Sequence, residues 1–351
     1  MSQATTADPL NDHQRALQAH LLDGVSRTFA LTIPQLPEPL ASIVANAYLL
    51  CRIVDTIEDE PALDLAAKEH HCKAFVAAVE GRGDAEGFAR ELAPRLSQST
   101  IPAEHELIAR TPEVLRIMHG FPADEQRALA RCVRIMAEGM VEFQRPRPHR
   151  GLADMRELDR YCYHVAGVVG EMLTELYCIH FPEVAARREE MMSLAVSFGQ
   201  GLQMTNILKD IWDDHARGAC WLPRSVFERE GVELDELQPG RTGSGFARGL
   251  RHLVGIAHGH LANAVRYTQG IPTEQTGIRN FCLWALGMAV LTLRRIHATP
   301  GFTDGRQVKI TRRSVQGTIV VSRLTARHNA LMWLSFRLAG IGLPLYTLPG
   351  T

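Results

Sequence analysis

Residues 192–214 read MSLAVSFGQGLQMTNILKDIWDD. Apolar side chains recur three and four positions apart, among Ala, Leu, Met and Gln, which favour helix. The spacing predicts one long helix over 192–211. One face of it is different. Gln203, Asn206, Asp210 and Asp214 lie three or four residues apart and draw a polar stripe through an otherwise apolar segment. A helix that only fills a core has no use for such a stripe, because buried polar groups without partners are costly. Asp213 joins Asp210 and Asp214 to complete a carboxylate triplet at i, i+3 and i+4.

The same period extends in both directions. Residues 44–54 (VANAYLLCRIV) and 128–143 (ALARCVRIMAEGMVEF) read as helices on the same grounds. No run alternates apolar and polar as a strand would. The two Asp-Gly pairs, Asp23-Gly24 and Asp304-Gly305, lack alternating flanks and read as loops rather than hairpins. Prolines punctuate the chain into segments of helix-pair length. Residues 236–243 (ELQPGRTG) form a loop but not a linker, so the expectation is one large all-α domain.

A second acidic cluster stands near the N-terminus, where Asp55, Glu58 and Asp59 repeat the i, i+3, i+4 spacing after the apolar run 48–54. A single such cluster is usually a solvated helix face. Two of them, each embedded in apolar helix, point instead to a hard divalent cation, because three like charges on one stripe repel unless something compensates. Magnesium takes carboxylate oxygens, keeps some waters and bridges to substrate phosphates. The pair of clusters therefore suits a diphosphate leaving group, whose developing charge metal ions neutralise. An allylic diphosphate would leave a carbocation behind, and that needs a dry apolar cavity such as an aliphatic helical bundle provides.

The bulk numbers agree. The chain has 351 residues, 46% hydrophobic and 22% charged, with aromatics at only 6%. A formal net charge of −1 leaves no basic footprint for nucleic acid. Seven cysteines, an odd number with no C-x-x-C pair, argue against both a disulfide framework and a structural zinc site, and fit reduced thiols in a cytoplasm. Lone histidines such as His164 and His180 read as structural or surface groups. The first residues show no secretory pattern. Residues 330–348 (ALMWLSFRLAGIGLPLYTL) are largely apolar but carry Arg337, two glycines and a proline, so they read as a packed terminal helix and tail, with peripheral membrane contact as the alternative.

From about Ser26 to Thr325 the chain resembles the squalene/phytoene synthase family, and within it the soluble bacterial squalene synthases. Ser26-Arg27-Thr28-Phe29-Ala30 is similar to the family's S-R-x-F-A block. Arg52 with residues 55–59 is similar to its first aspartate-rich motif. Tyr161-Cys162-Tyr163-His164-Val165-Ala166-Gly167-Val168-Val169-Gly170 resembles the central Y-C-x-x-V-A-G-x-V-G block, and Gln203 through Asp214 the second aspartate-rich motif. Asn280-Phe281-Cys282 and Val308-Lys309-Ile310-Thr311-Arg312-Arg313 resemble two shorter blocks of the squalene synthases.

The resemblance implies a single-domain isoprenoid synthase helical bundle with a central cavity, spanning 21–328 between an N-terminal extension (1–20) and an apolar tail (329–351). It implies Mg2+ (Mn2+ as a substitute) on Asp55, Glu58, Asp59, Asp210, Asp213 and Asp214, with Asp55, Asp59, Asp210 and Asp214 also acting catalytically. Farnesyl diphosphate would contact Ser26, Arg27, Phe29, Arg52, Val165, Gly170, Gln203, Asn206, Lys209, Arg217 and Phe281. Tyr161 would handle a proton, and Lys309, Arg312 and Arg313 would hold NADPH. The implied activity is head-to-head condensation of two farnesyl diphosphates through presqualene diphosphate to squalene. Omission of the hydride step, giving dehydrosqualene or phytoene, is one alternative, and a non-catalytic binding relative is another. Two departures stand out: Lys209 where arginine is common, which keeps charge but loses a bidentate fork, and Asp213 where glutamate is commoner.

Overall fold

A computed structural model describes residues 10–143 and 150–348, with the side chain of Arg27 outside the described residues. These residues are helical throughout, apart from connections and an isolated bridge between Leu152 and Pro223. The helices group into two compact units, 10–143 with 175–181, and 150–174 with 182–348.

The first unit holds α1 (Asp12–Val25), α2 (Arg27–Thr32), α3 (Leu40–Asp59), α4 (Leu65–Val79), α5 (Ala85–Leu92), α6 (Pro102–Ala109), α7 (Thr111–Met118) and α8 (Ala123–Phe143). Its axis is α3, which packs against α1, α4, α6, α7 and α8. That explains why α3 is apolar on nearly every side: Leu49, Leu50, Ile53, Val54 and Ile57 are all fully buried. Asn46, also fully buried, donates to the Val114 carbonyl at 3.1 Å and ties α3 to α7. Only the last two turns, with Arg52, Asp55 and Asp59, break the apolar pattern. Asp23-Gly24, expected in a loop, lies in the last turn of α1, and α1 runs across the expected boundary at 20/21. A capping box at Asn11 and Gln14 starts that helix.

The second unit holds α9 (Met155–Cys162), α11 (Pro182–Ala185), α12 (Arg188–Lys209), α13 (Ile211–Ala216), α14 (Arg224–Glu228), α15 (Ser244–Gly270), α16 (Thr276–Ala298), α17 (Gly305–Val308), α18 (Arg312–Thr325) and α19 (Asn329–Ala339), while α10 (Val168–His180) begins in it. Here α12 and α15 form the core pair. They meet through a buried polar network: Ser197 Oγ lies 2.8 Å from His260 Nδ1 and accepts from Asn263 Nδ2 at 3.0 Å. Burial pushes His260 down to about 4, so the ring is neutral. The sequence period predicts an unbroken helix over 192–211, yet the chain bends at Asp210 (φ −100°, ψ 14°) between α12 and α13. The ladder survives the bend, since Asp210 N donates to Asn206 O and Asp214 N to Asp210 O, each at 2.9 Å.

Helices α3 and α16 are long and apolar enough to cross a membrane, but 78% and 61% of their apolar windows are buried in the fold. The eleven residues of α19 fall short of the ~20 a spanning helix needs. The tail after α19 is strapped to α15. His258 Nδ1 lies 2.9 Å from the Pro344 carbonyl oxygen, and Tyr346 N donates to Gly255 O. Glycine is required beneath the strap, because a Cβ on Gly259 would stand 2.4 Å from Tyr346 O.

Candidate active site: two carboxylate clusters

In the first unit the predicted residues converge on the C-terminal turns of α3. Ser26 caps α2, accepting from Phe29 N at 3.1 Å, and Phe29 packs its ring 4.9 Å from that of Tyr48. The Arg52 guanidinium lies 3.5 Å from Asp55 and 3.2 Å from Glu104 on α6. Arg52 thus feels Asp55, Asp59 and Glu104 together, and Lys68 on α4 also feels Asp59. Burial above all, then Asp59 and Glu104, raises Asp55 to about 7 against the pull of Arg52. Burial and Asp59 raise Glu104 likewise. Tyr48 is raised mainly by burial, opposed by Arg52 and a hydrogen bond with Ser26.

Glu58 is placed differently from its predicted neighbours. It faces α4, where its charge acts on Lys68 and Cys72, and its carbonyl accepts from Lys68 Nζ. The third acid beside Asp55 and Asp59 is Glu104, which no spacing in the sequence links to them. Tyr48 was legible only as part of an apolar run.

In the second unit, Lys209 Nζ pairs with Asp210 at 3.0 Å, and Arg217 Nη2 donates to Asp214 Oδ1 at 2.6 Å. Burial raises Asp210, with Lys209 pulling it back. Asp214 is buried and committed to Arg217, whereas Asp213 and Asn206 are exposed and Gln203 half-buried. The predicted stripe is therefore most exposed at Asn206 and closes at Asp214. Gly305, at the start of α17, backs this cluster. A Cβ there would stand 3.1 Å from Lys209 O and 3.4 Å from Asp213 Oδ2. Asp304 is the N-cap of α17 rather than a loop residue.

The central block forms a π-helical turn, Tyr163–Gly167, wedged against α12. Such turns recur at functional sites. Gly199 of α12 meets it so closely that a Cβ would lie 2.2 Å from Ala166 O, and a Cβ on Gly170 would lie 2.2 Å from Ala195 O. Gly170, read as a substrate contact or a point of close helix approach, packs here against the α12 backbone. Val165 lies in the π turn and is half-buried. Tyr161 is 5% exposed and stacks on Trp221, centroids 4.1 Å apart and planes 5° from parallel. Phe281 is buried in α16. Lys309, Arg312 and Arg313 are exposed, the last two in the first turn of α18, which Thr311 caps.

Both clusters offer hard oxygen donors with more carboxylate than cationic charge, which fits Mg2+. In neither do three carboxylates bring oxygens within 4.8 Å of one another.

The chain belongs to the squalene/phytoene synthase family, whose model matches residues 22–314. It is 27% identical over 293 residues to squalene synthase ERG9 of Gibberella zeae, covering 83% of this chain and 60% of that protein. To squalene synthase ERG9 of Candida albicans it is 26% identical, over 90% of this chain and 68% of that one. The chain thus spans roughly two thirds or less of the length of these relatives. A complex of TcSQS with the ligand BPH1237 superposes with a TM-score of 0.75 at 24% identity, covering 93% of this chain and 91% of that one, and shows that the fold is shared.

Proposed function

We propose that the protein is a squalene synthase, condensing two farnesyl diphosphates head to head through presqualene diphosphate and reducing the product to squalene with NADPH. The observation that carries it is the Arg52 pocket: one guanidinium among Asp55, Asp59 and Glu104, with Ser26 alongside, at the end of an otherwise apolar helix. The relatives named above, both squalene synthases, support the same reading.

Mg2+, when bound, supplies charge neutralisation for the departing diphosphate. Each unit offers its own ligands for it: Asp55 and Asp59 in the first, Asp210 and Asp213 in the second. Arg52, Lys209 and Arg217 add fixed positive charge for the diphosphate oxygens. The aliphatic interior keeps water from the cationic carbon. Tyr161, held by its stack on Trp221, handles the proton lost during condensation. Lys309, Arg312 and Arg313 supply the cations for the NADPH phosphates.

The deciding experiment is incubation with farnesyl diphosphate and Mg2+, with and without NADPH, followed by product analysis. Squalene formed only with NADPH supports the proposal. Dehydrosqualene in either case, or a C40 product from geranylgeranyl diphosphate, moves it to the alternatives. Native diphosphate release by both Asp59→Ala and Asp210→Ala would end the metal assignment.

A second reading concerns where the protein works. Leu331, Leu334 and Leu338 are exposed at helical spacing along α19, Ile341 is exposed just beyond its end, and Val320, Val321 and Leu324 are exposed on α18. Exposed Arg323, Arg327 and Arg337 accompany them. Apolar stripes with arginines nearby fit the surface of an anionic bilayer, and peripheral contact there would place a cytoplasmic enzyme beside its lipid substrate and product.

A further inference from the structure

In the first unit, away from α3, two histidines and a glutamate come together. His70 and His71 are neighbours on α4, and Glu91 lies on α5, which packs against it. One ligand atom from each lies within 4.8 Å of the others, a grouping unique among the described residues. His70 Nε2 stands 3.5 Å from Glu91 Oε2, with both side chains about two-thirds exposed at 64% and 65%. His71 is the opposite: 1% exposed, with neither ring nitrogen hydrogen-bonded.

A buried imidazole without a partner is unusual, because buried polar atoms are nearly always satisfied. Its surroundings keep the ring neutral: burial first, then His70 and Arg95, depress its protonation, with Glu91 opposing. A neutral imidazole is the ligand form. The ring is fixed by packing, edge-on to Phe88 at 6.4 Å and to His70 at 5.2 Å. His70 and Glu91 reach into solvent and can reorient. A tetrahedral ion with bonds of ~2.1 Å wants ligand atoms roughly 3.4 Å apart, a modest closure from the observed spacing.

We infer that His70, His71 and Glu91 form a zinc site that joins α4 to α5, separate from the magnesium-binding carboxylates. Two nitrogens and one oxygen suit Zn2+ rather than Mg2+, which prefers an all-oxygen shell. Water takes the fourth position on the exposed side.

The test uses the full chain, stripped with a chelator, then titrated with Zn2+ in excess Mg2+. One Zn2+ per chain, undisplaced by Mg2+ and raising the melting temperature, is the expected result. His70→Ala and Glu91→Gln alter exposed side chains and leave the zinc-free melting temperature unchanged. Each should weaken zinc binding by more than ~10-fold, with Mg2+-dependent turnover of farnesyl diphosphate unaltered. Absence of zinc binding to the parent chain, or equal binding by both variants, overturns the inference.

Discussion

Arg52 Nε stands 3.2 Å from Glu104 Oε1, although the two are 52 positions apart in the chain with α4 and α5 between them. The contact gives Arg52 two acidic partners and places a third acid within reach of Asp55 and Asp59. Glu104 helps to hold Asp55 up near 7. Glu104→Gln removes that repulsion and leaves more of Arg52 for Asp55. The acid limb of Mg2+ binding, set by ionisation of Asp55, then moves to lower pH. Titrating Mg2+ affinity against pH in both proteins checks this, and an unmoved limb means that Glu104 does not act on Asp55.

The raised Asp55 also sets a sign for stability. Its folded value lies above its ordinary value of 3.8, so between about 4 and 7 this carboxyl is more protonated in the metal-free folded chain than in the unfolded one. This contribution is full below about 4 and is lost as pH rises through 7. Asp55→Asn mimics the protonated form. The metal-free variant should melt higher than the parent at pH 8, with the difference closing toward pH 4. Its diphosphate release should fall by about 100-fold or more. Asp55 is 29% exposed, so solvent screening limits the stability gain. Melting curves at the two pH values decide it.

The sequence conveyed the helices because their cores need a 3.6-residue period, and α3 and α12 show it plainly. It singled out Asp55, Glu58, Asp59, Asp210, Asp213 and Asp214 because like charges at helical spacing demand an explanation. Periodicity did not convey what faces a helix from elsewhere. Asp55, Glu58 and Asp59 share a stripe on paper, yet Glu58 turns to Lys68 on α4 while Glu104 arrives from α6. The bend at Asp210 was equally silent, since the hydrogen bonds on either side of it persist. Gly170 looked like room for substrate or for a close helix approach. Its closeness to the Ala195 carbonyl appears only once α10 and α12 are packed.

That packing is testable through two alanines. Gly199→Ala would drive a methyl to 2.2 Å from the Ala166 carbonyl oxygen, backbone against backbone. Overpacking of this kind costs about 1–3 kcal/mol. Gly317, inside α18 with nothing within 4 Å of an added Cβ, is the contrast. Gly317→Ala should stabilise by about 0.5–1 kcal/mol, through helix propensity alone. Denaturation midpoints should therefore move in opposite directions.

The exposed leucines of α19 predict a lipid-dependent phenotype. Changing Leu331, Leu334 and Leu338 together to serine removes an outward apolar stripe while leaving Met332 and Phe336, the buried face, intact. Binding to anionic vesicles should fall by about tenfold or more, given the apolar area lost. Melting temperature and turnover of dispersed substrate should stay near the parent values. Equal sedimentation of both proteins with vesicles would remove α19 from any membrane contact.

Tyr161 allows chemistry to be separated from packing. Its ring is fixed by the parallel stack on Trp221, and Tyr161→Phe keeps that stack while deleting only the hydroxyl. If the hydroxyl moves a proton, kcat should drop by about 100-fold or more while KM for farnesyl diphosphate holds, because general acid–base groups act in the transition state. Stability should change by about 1 kcal/mol, the worth of one hydrogen bond. Trp221→Leu takes away the platform instead, so it should lower both stability and rate. A Tyr161→Phe enzyme with native turnover would make the hydroxyl structural. Asp159, half-buried two residues earlier and raised to about 6 by burial and Asp154, would then be the next group to test for the proton transfer.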